Sequence, residues 1–161
     1  MDSLFDAAGQ VGSLLKAKGQ TVAVAESSGG GLISAALLAL PGASAYFVAG
    51  GVVYTKVARQ SLAGIGDAEM AGLRSSSEPY AQLLARSIRE RNATTWGLAE
   101  TGAAGPTGNR YGDPAGHTCI AISGPVERVL TLRTGDSDRV ANMRAFARKA
   151  LEELGACIQK A

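Results

Sequence analysis

The feature that most constrains the fold is a corner formed by residues 22–31. Residues 22–25 are an apolar run typical of a buried strand, which leads through Glu26 into two serines and three glycines. From residue 32, apolar side chains recur at helical spacing until a Pro-Gly pair ends the pattern. Because glycines accept positive φ angles and let a ligand approach the backbone, the corner predicts either an anion site or a tight structural turn.

The remaining segments predict an α/β sandwich with a mixed sheet. The order of elements is α-β-α-β-α-β-β-β-α, and residues 56–75 fit one or two short helices. Because the last three strands follow one another without helices between them, we expect at least one of them to be antiparallel. Ligands of such sheets lie at the carboxyl ends of parallel strands. Three polar segments are predicted to end there: residues 26–31, 54–59 and 100–108.

Two of the strand predictions are specific enough to check in detail. The run from Tyr46 to Tyr54 is interrupted by Gly50 and Gly51, which indicates a bulge or the close approach of another backbone. The apolar run over residues 96–99 predicts a short strand that ends before Glu100.

Composition limits the classes of function. The chain has 161 residues, of which 46% are hydrophobic, so we expect a single domain over residues 1–161 with one sizeable core. Its net charge is +2, and its charged residues form no run of like charge that could follow a nucleic-acid backbone. The sequence indicates neither a secretory signal nor a membrane span, and its two isolated cysteines fit reduced thiols. We therefore expect a cytoplasmic protein without a nucleic-acid or membrane partner.

The serine pair supplies the candidate nucleophile. Ser27 follows the strand directly and precedes glycines whose N–H groups could hold an oxyanion, with Ser28 as the fallback. Capping of the following helix is the commoner use of serines at such positions. The candidate bases are Lys56, at the end of the second strand, and the single histidine, His117. His117 is the weaker candidate, because a Ser-His-Asp arrangement would depend on it alone, while an ordinary exposed lysine is the commoner outcome at residue 56.

The sequence excludes two common phosphate-binding motifs. Gly-Leu-Ile-Ser at residues 31–34 stands where a P-loop requires Gly-Lys-Ser/Thr. The glycines of residues 102–108 precede a strand rather than a helix, which excludes the dinucleotide fingerprint and favours a ligand-lining loop with Thr101 as a hydrogen-bonding group. The carboxylates show no spacing that indicates a metal. We expect neither a metal nor a cofactor.

Several segments, in the same order along the chain, resemble one family. They are Ala25-Glu-Ser-Ser-Gly-Gly-Gly-Leu-Ile33, Pro41-Gly-Ala-Ser-Ala-Tyr-Phe47, Gly51-Val-Val-Tyr-Thr55, Ser77-Glu78 and Thr101-Gly-Ala-Ala-Gly-Pro106. Together they are similar to the carboxyl-terminal domain family of the competence/damage-inducible protein CinA. The resemblance implies a three-layer α/β/α sandwich with a mixed, mostly parallel five-stranded sheet. Longer members carry a further amino-terminal domain, which this chain is expected to lack.

The resemblance also implies an activity. Members hydrolyse the carboxamide of nicotinamide mononucleotide to nicotinate mononucleotide and ammonia, in pyridine-nucleotide recycling. In this interpretation Ser27, Lys56 and Tyr54 are catalytic and the substrate is a small nucleotide; we also expect a homo-oligomer. The expected substrate-binding residues are Ser28, Gly29, Gly30, Gly31, Arg59, Thr101, Gly102 and Gly105.

The chain departs from the family pattern at several positions. Ser28 and Gly29 replace a cysteine and a threonine, and Arg59 replaces a lysine. Ser137 replaces an arginine, for which Arg139 and Arg144 are candidate substitutes. A guanidinium stays protonated and cannot act as a general base, although it can hold a phosphate. Two functions therefore stay open: an active amidohydrolase, or a degenerate domain that binds a nucleotide or acts as an assembly module.

Overall fold

The structure, a computed structural model, describes residues 3–161, so residues 1 and 2 of the expected domain lie outside it. The helices are α1 (Ser3–Lys18), α2 (Leu32–Leu38), α3 (Lys56–Ala63), α4 (Glu78–Asn92) and α5 (Arg139–Lys160), and the strands are β1 (Val22–Glu26), β2 (Phe47–Val52), β3 (Trp96–Ala103), β4 (His117–Ser123) and β5 (Arg128–Arg133). Their order follows the prediction, with α3 as the short helix within residues 56–75. Within residues 3–161, no helix combines the length and the apolar character needed to cross a membrane.

The strands form one mixed sheet in the order β2-β1-β3-β4-β5. β1 is parallel to both β2 and β3, whereas β4 is antiparallel to β3 and to β5. Four strands therefore point the same way, and β4 runs against them. The predicted mixed, mostly parallel sheet is confirmed, and the carboxyl ends of β1, β2 and β3 lie at one edge.

Helices cover both faces of the sheet and complete three layers. α1, α2 and α5 pack on one face, where branched side chains such as Val24 and Leu98 are buried. α4 packs on the other face, against small residues such as Ala99. Because side chains alternate between the two faces of a strand, one face of the sheet carries branched side chains and the other is rich in alanine. The small residues let α4 approach closely: a Cβ on Gly97 would lie 2.2 Å from the carbonyl oxygen of Ala85.

β3 is longer than the sequence predicted, and this changes the surroundings of two polar residues. It continues to Ala103 because it pairs with β4 up to that residue, which lies opposite His117. Glu100 and Thr101 are therefore strand residues with fixed neighbours rather than the beginning of a loop. Glu100 also lies beside Glu26 in the register of β1 and β3.

The glycine pair of β2 marks a close approach of a side chain rather than a bulge. The register shift between β1 and β2 falls at residues 47–49, before the pair. A Cβ on Gly50 would lie 2.3 Å from the hydroxyl oxygen of Ser34 in α2. The missing side chain therefore lets α2 pack against this edge strand.

Capping side chains fix where three helices begin. Thr55, Ser77 and Asp138 each accept a hydrogen bond from the N–H three residues later, at the starts of α3, α4 and α5. Such a cap contributes about 1 kcal/mol to stability. The starts of α3 and α4 lie at the same edge as the carboxyl ends of β1 and β3.

Candidate functional site

A cavity of about 310 Å³ opens at the carboxyl edge of the sheet. Ser27, Thr101 and Gly102, at the ends of β1 and β3, form what we call the strand-end wall. Residues 54–56, at the start of α3, and residues 109–111, in the loop after β3, form the loop wall. Residues from the three predicted polar segments, or directly following them, thus meet in one place.

A larger depression of about 820 Å³ lies on the outer face of α1. It is open to solvent, and Asp6 is the one titratable side chain in its lining. The smaller cavity gathers a serine hydroxyl, an amine, a guanidinium and several phenols at the strand ends. Because convergent polar groups characterise a reactive site better than size does, the smaller cavity is the candidate site.

The corner after β1 places Ser27 at the cavity. Its backbone N–H donates to Glu100 at 3.1 Å, and no residue within 3–161 forms a hydrogen bond with its hydroxyl. Ser28, in contrast, is buried and its hydroxyl donates to Glu100. Ser27 rather than Ser28 therefore offers a free hydroxyl to a ligand.

Glu100 holds this corner from the neighbouring strand. Its buried carboxylate accepts hydrogen bonds from the N–H groups of Ser27 and Gly29, at 3.1 and 2.7 Å. The hydroxyls of Ser28 and Thr118 donate to its other oxygen. Burial raises the pKa of the Glu100 carboxyl, although these hydrogen bonds favour its ionised form. Four donors on one buried group fix the backbone around Ser27.

A second buried carboxylate, Glu26, completes the support of the corner. It accepts hydrogen bonds from the N–H groups of Ile33 and Ser34, at 3.1 and 2.9 Å, at the start of α2. A Cβ on Gly29 would lie 2.9 Å from Glu26 Oε1 and 3.1 Å from Glu100 Oε1, so a side chain there would displace a carboxylate. Several N–H groups of the corner are thus already bonded. Within residues 3–161, no three His, Cys, Asp or Glu side chains come together as a metal site requires.

Arg139 links two of the predicted site residues. Its guanidinium donates to the Tyr54 hydroxyl at 3.1 Å and to the Gly105 carbonyl at 2.5 Å. It begins α5, two residues after Ser137, where the sequence resemblance implies an arginine. Because the Tyr54 oxygen accepts this bond, its own proton can be donated to a ligand.

Lys56 and Arg59 share one carboxylate. The Lys56 amine lies 3.4 Å, and the Arg59 guanidinium 3.6 Å, from Oδ1 of Asp67. Lys56 is largely exposed and lines the cavity. Arg59 is mostly buried outside the lining, and its Nε has no partner among residues 3–161. A ligand in the cavity can therefore contact the Lys56 amine.

Both ring nitrogens of His117 form hydrogen bonds with other protein groups. Arg133 Nε donates to Nδ1 at 3.2 Å, so Nε2 carries the proton and donates to the Ser76 carbonyl at 2.9 Å. The ring is buried and lies outside the cavity lining. His117 is therefore not placed to take a proton from Ser27, and Lys56 is the candidate base.

The loop of residues 109–113 is held in one conformation by its own side chains. Asn109 Oδ1 accepts hydrogen bonds from the N–H groups of Tyr111 and Asp113, at 3.0 and 3.1 Å. Asp113 accepts hydrogen bonds from Asn109 Nδ2 at 2.9 Å and from Arg74 at 2.7 Å. Burial alone would raise the pKa of the Asp113 carboxyl, but the hydrogen bonds from Arg74 and Asn109 outweigh burial and lower it. The carboxylate therefore stays ionised and fixes the loop.

This loop presents Arg110 and Tyr111 to the cavity. The Arg110 guanidinium lies 5.0 Å from the centre of the Tyr111 ring and donates to its hydroxyl at 2.9 Å. The Arg74 guanidinium lies 5.0 Å from the same ring. The hydrogen bond from Arg110 lowers the pKa of the Tyr111 hydroxyl. One aromatic ring thus contacts two cations at the rim of the site.

The structure brings together some of the sequence-predicted residues and separates others. Ser27, Tyr54, Lys56, Thr101 and Gly102 line the cavity. The lining does not include Ser28, Gly29, Gly30, Gly31, Arg59 and Gly105. Substrate contacts by these residues stay predictions, and Gly29 in particular already donates its N–H to Glu100.

Sequence reasoning missed the contributions of Glu100 and of residues 109–111. The sequence predicts that Glu100 lies in a loop at the same edge as the corner, but not that it is a buried strand residue that accepts hydrogen bonds from the corner. The signal for the loop was an Arg-Tyr pair between Asn109 and Gly112, a combination of charge and ring that suits a ligand. Its link to Asp113 and Arg74, far apart in sequence, could not be inferred from the pattern.

Comparisons with known proteins place these features in a family. The model of the CinA C-terminal domain family matches residues 5–158. Relatives include CinA-like proteins from Gloeobacter violaceus, 43% identical over 124 residues, and from Chlorobium limicola, 34% identical over 155 residues. These alignments cover 76% and 93% of this chain but 29% and 36% of the relatives. The chain thus spans about a third of the length of the curated relatives it matches.

Solved structures agree with this similarity. A CinA superfamily protein from Klebsiella pneumoniae has a TM-score of 0.91 at 25% identity, with 98% of this chain and 99% of that one covered. The competence/damage inducible protein CihA from Agrobacterium tumefaciens has a TM-score of 0.88 at 31% identity, with 98% and 96% covered. The fold implied by the sequence resemblance is confirmed. Because the family model covers nearly the whole chain and relatives above 30% identity align with most of it, this chain belongs to the CinA C-terminal domain family.

Proposed function

We propose that this chain is an amidohydrolase that converts nicotinamide mononucleotide and water to nicotinate mononucleotide and ammonia. The observation that carries the proposal is the meeting of Ser27, Tyr54, Lys56 and Thr101 in one cavity at the carboxyl edge of the sheet. A free hydroxyl, an amine and a phenol are groups that serine-dependent amide hydrolysis uses. The volume of about 310 Å³ is at the lower end for ligand sites, which suits a mononucleotide better than a dinucleotide.

Ser27 is the nucleophile in this proposal. Its oxygen attacks the carboxamide carbon, and the C–N bond then breaks to leave an ester of nicotinate mononucleotide on Ser27. The proton lost by the hydroxyl passes to the departing nitrogen, which leaves as ammonia. Water next attacks the ester, returns a proton to the serine oxygen and releases nicotinate mononucleotide.

In this proposal Lys56 transfers protons, and Tyr54 stabilises the negative charge that develops on the carbonyl oxygen. Lys56 is the general base that takes the proton of the Ser27 hydroxyl and gives it to the leaving nitrogen. Tyr54, whose oxygen accepts a hydrogen bond from Arg139, donates its own proton towards the carbonyl oxygen as negative charge develops there. In the corner, the N–H groups of Ser27 and Gly29 donate to Glu100 and that of Gly30 donates to the Ser27 carbonyl, so we assign a larger share of this stabilisation to Tyr54.

A second candidate function is nucleotide binding without hydrolysis. Arg59 favours it, because a guanidinium stands where the family has a lysine and cannot act as a base. The large exposure of Lys56 favours it as well, since a general base is usually held in place by its surroundings. This candidate retains the same cavity and the same ligand class.

Ammonia release from nicotinamide mononucleotide by the purified protein tests the proposal. We expect turnover by the wild type and by Ser13→Ala, which changes an exposed serine of α1, and a loss of about a thousandfold or more in Ser27→Ala. Lys56→Met should lower kcat with little change in KM. An inert wild type would reject the proposal. Binding of the nucleotide without turnover, with turnover gained in Arg59→Lys, would establish the second candidate instead.

A further inference from the structure

The candidate cavity carries positive charge that its own lining does not neutralise. Lys56 and Arg110 line it, whereas no aspartate or glutamate does. Asp67 lies 3.4 Å from the Lys56 amine, but Arg110 forms no ion pair with any carboxylate of residues 3–161. A guanidinium that borders a cavity and has no carboxylate partner favours an anionic ligand.

The loop holds Arg110 in place before a ligand arrives. The Asn109 side chain fixes the backbone around it, because Oδ1 of Asn109 accepts hydrogen bonds from the N–H groups of Tyr111 and Asp113, at 3.0 and 3.1 Å. The Tyr111 hydroxyl accepts one N–H of the guanidinium at 2.9 Å, and the other N–H donors are left for a ligand. Because this side chain is already ordered, its binding to an anion loses less conformational entropy.

We propose that Arg110 binds the phosphate of a mononucleotide in this cavity and so selects nucleotides over nucleosides. A planar guanidinium forms paired, charge-assisted hydrogen bonds with phosphate oxygens. Tyr111 is a positioning residue, which fixes the plane of the guanidinium. The assignment of the other end of the ligand, a carboxamide at Ser27, rests on the proposed function, whereas the phosphate end rests on Arg110 and its loop.

Equilibrium binding in a Ser27→Ala background, which prevents turnover, tests the inference. The probes are nicotinamide mononucleotide and nicotinamide riboside, which differ by the phosphate alone, and calorimetry measures their affinities. Arg110→Gln removes the guanidinium. The matched control, Arg86→Gln, removes an exposed arginine of α4 that lies outside this cavity and forms no ion pair within residues 3–161.

The two probes give opposite expectations for Arg110→Gln. The affinity for nicotinamide mononucleotide should fall about tenfold or more, since hydrogen bonds to a charged group are lost, while the affinity for the riboside should change less than about twofold. Arg86→Gln should change both affinities less than about twofold. Equal losses for the two probes, or an unchanged affinity for the nucleotide, would overturn the inference.

Ribose 5-phosphate and ribose separate this inference from the proposed function. Both lack a carboxamide, and their binding to the wild type and to Arg110→Gln can be followed by NMR titration. If nicotinamide mononucleotide is neither bound nor hydrolysed, the proposed function fails and these probes decide about the phosphate site. Binding of ribose 5-phosphate that Arg110→Gln weakens would then support the site. No binding to the wild type, or equal binding to both proteins, would overturn it.

Discussion

The strand-end wall and the loop wall of the cavity are built in different ways. In the strand-end wall, Thr101 is positioned by the pairing of β3 with β4, and Ser27 is positioned by the buried carboxylate of Glu100. The charged side chains of the loop wall, Lys56 and Arg110, are exposed and lie on segments fixed by a helix cap and by a hydrogen-bonded loop.

The strand-end wall therefore carries the reactive hydroxyl, whereas the loop wall carries the charges that bind the ligand. The reactive hydroxyl is held by groups in the core, so changes there affect the stability of the protein as well as its activity. The cations are held at the surface, so changes there alter affinity and salt dependence with little effect on folding. The following predictions test this separation, beginning with the largest expected effect.

Replacement of Glu100 tests the strand-end wall. Glu100→Leu leaves four donors, three of them buried, without an acceptor, so we expect the free energy of unfolding to fall by about 3 kcal/mol or more. Urea denaturation measures this change. Glu90→Leu, at an exposed site on α4, is the matched control and should have little effect. A loss for Glu100→Leu no larger than that of the control would contradict the role of Glu100.

Replacement of Asp113 tests the support of the loop that carries Arg110 of the loop wall. Asp113→Asn removes the charge that pairs with Arg74, and we expect a loss of about 2 kcal/mol in the free energy of unfolding. The N–H of Tyr111 should also exchange with solvent faster in hydrogen-exchange measurements, because the loop loses support. Glu152→Gln, which removes an exposed carboxylate paired with the exposed Arg148, should leave stability nearly unchanged. Similar losses in the two variants would show that the loop is not held as described.

The pH dependence of stability distinguishes Glu100 from the surface acids. Burial raises the pKa of Glu100, so the folded protein keeps this proton over a pH range in which the unfolded chain has lost it. The free energy of unfolding should therefore fall as pH rises from the usual glutamate pKa through the raised value, by at most about 1.4 kcal/mol per pH unit. Glu100→Gln cannot titrate and should lack this slope in chemical denaturation. Parallel curves for the two proteins would contradict the prediction.

The smallest expected effect concerns the hydroxyl of Tyr111. Tyr111→Phe keeps the ring but removes the acceptor for Arg110, so the KM for nicotinamide mononucleotide should rise about three- to fivefold with kcat unchanged. Tyr54→Phe is the matched variant and should lower kcat instead, because the Tyr54 proton is assigned to the developing oxyanion. The comparison fails if both variants change the same kinetic constant.

Much of the fold could be predicted from the sequence because local patterns agree with the tertiary structure. The apolar run before Glu26 and the capping residues Ser77 and Asp138 mark their elements directly. The end of β3 could not be predicted. Gly102 and Ala103 are weak strand formers, and pairing with β4 keeps them in the sheet.

The candidate site was only partly predictable, because some of its residues are placed by contacts between distant parts of the chain. Ser27 and Thr101 lie at strand ends, and strand ends can be located from apolar runs. Arg110 reaches the cavity because Asp113 binds Arg74, a contact between residues 39 positions apart that no local pattern reveals. The ion pair between Lys56 and Asp67 could not be predicted either, since Asp67 lies beyond the turn that ends α3.

The most direct test of the central claim is a search for an ester on Ser27. The reaction with nicotinamide mononucleotide is stopped by acid within the first turnovers, and the peptide that contains Ser27 is examined by mass spectrometry. The account predicts a transient adduct of nicotinate mononucleotide on that peptide, absent from Ser27→Ala, which also fails to release ammonia. Ammonia release by Ser27→Ala at the wild-type rate, with no adduct in either protein, would contradict it.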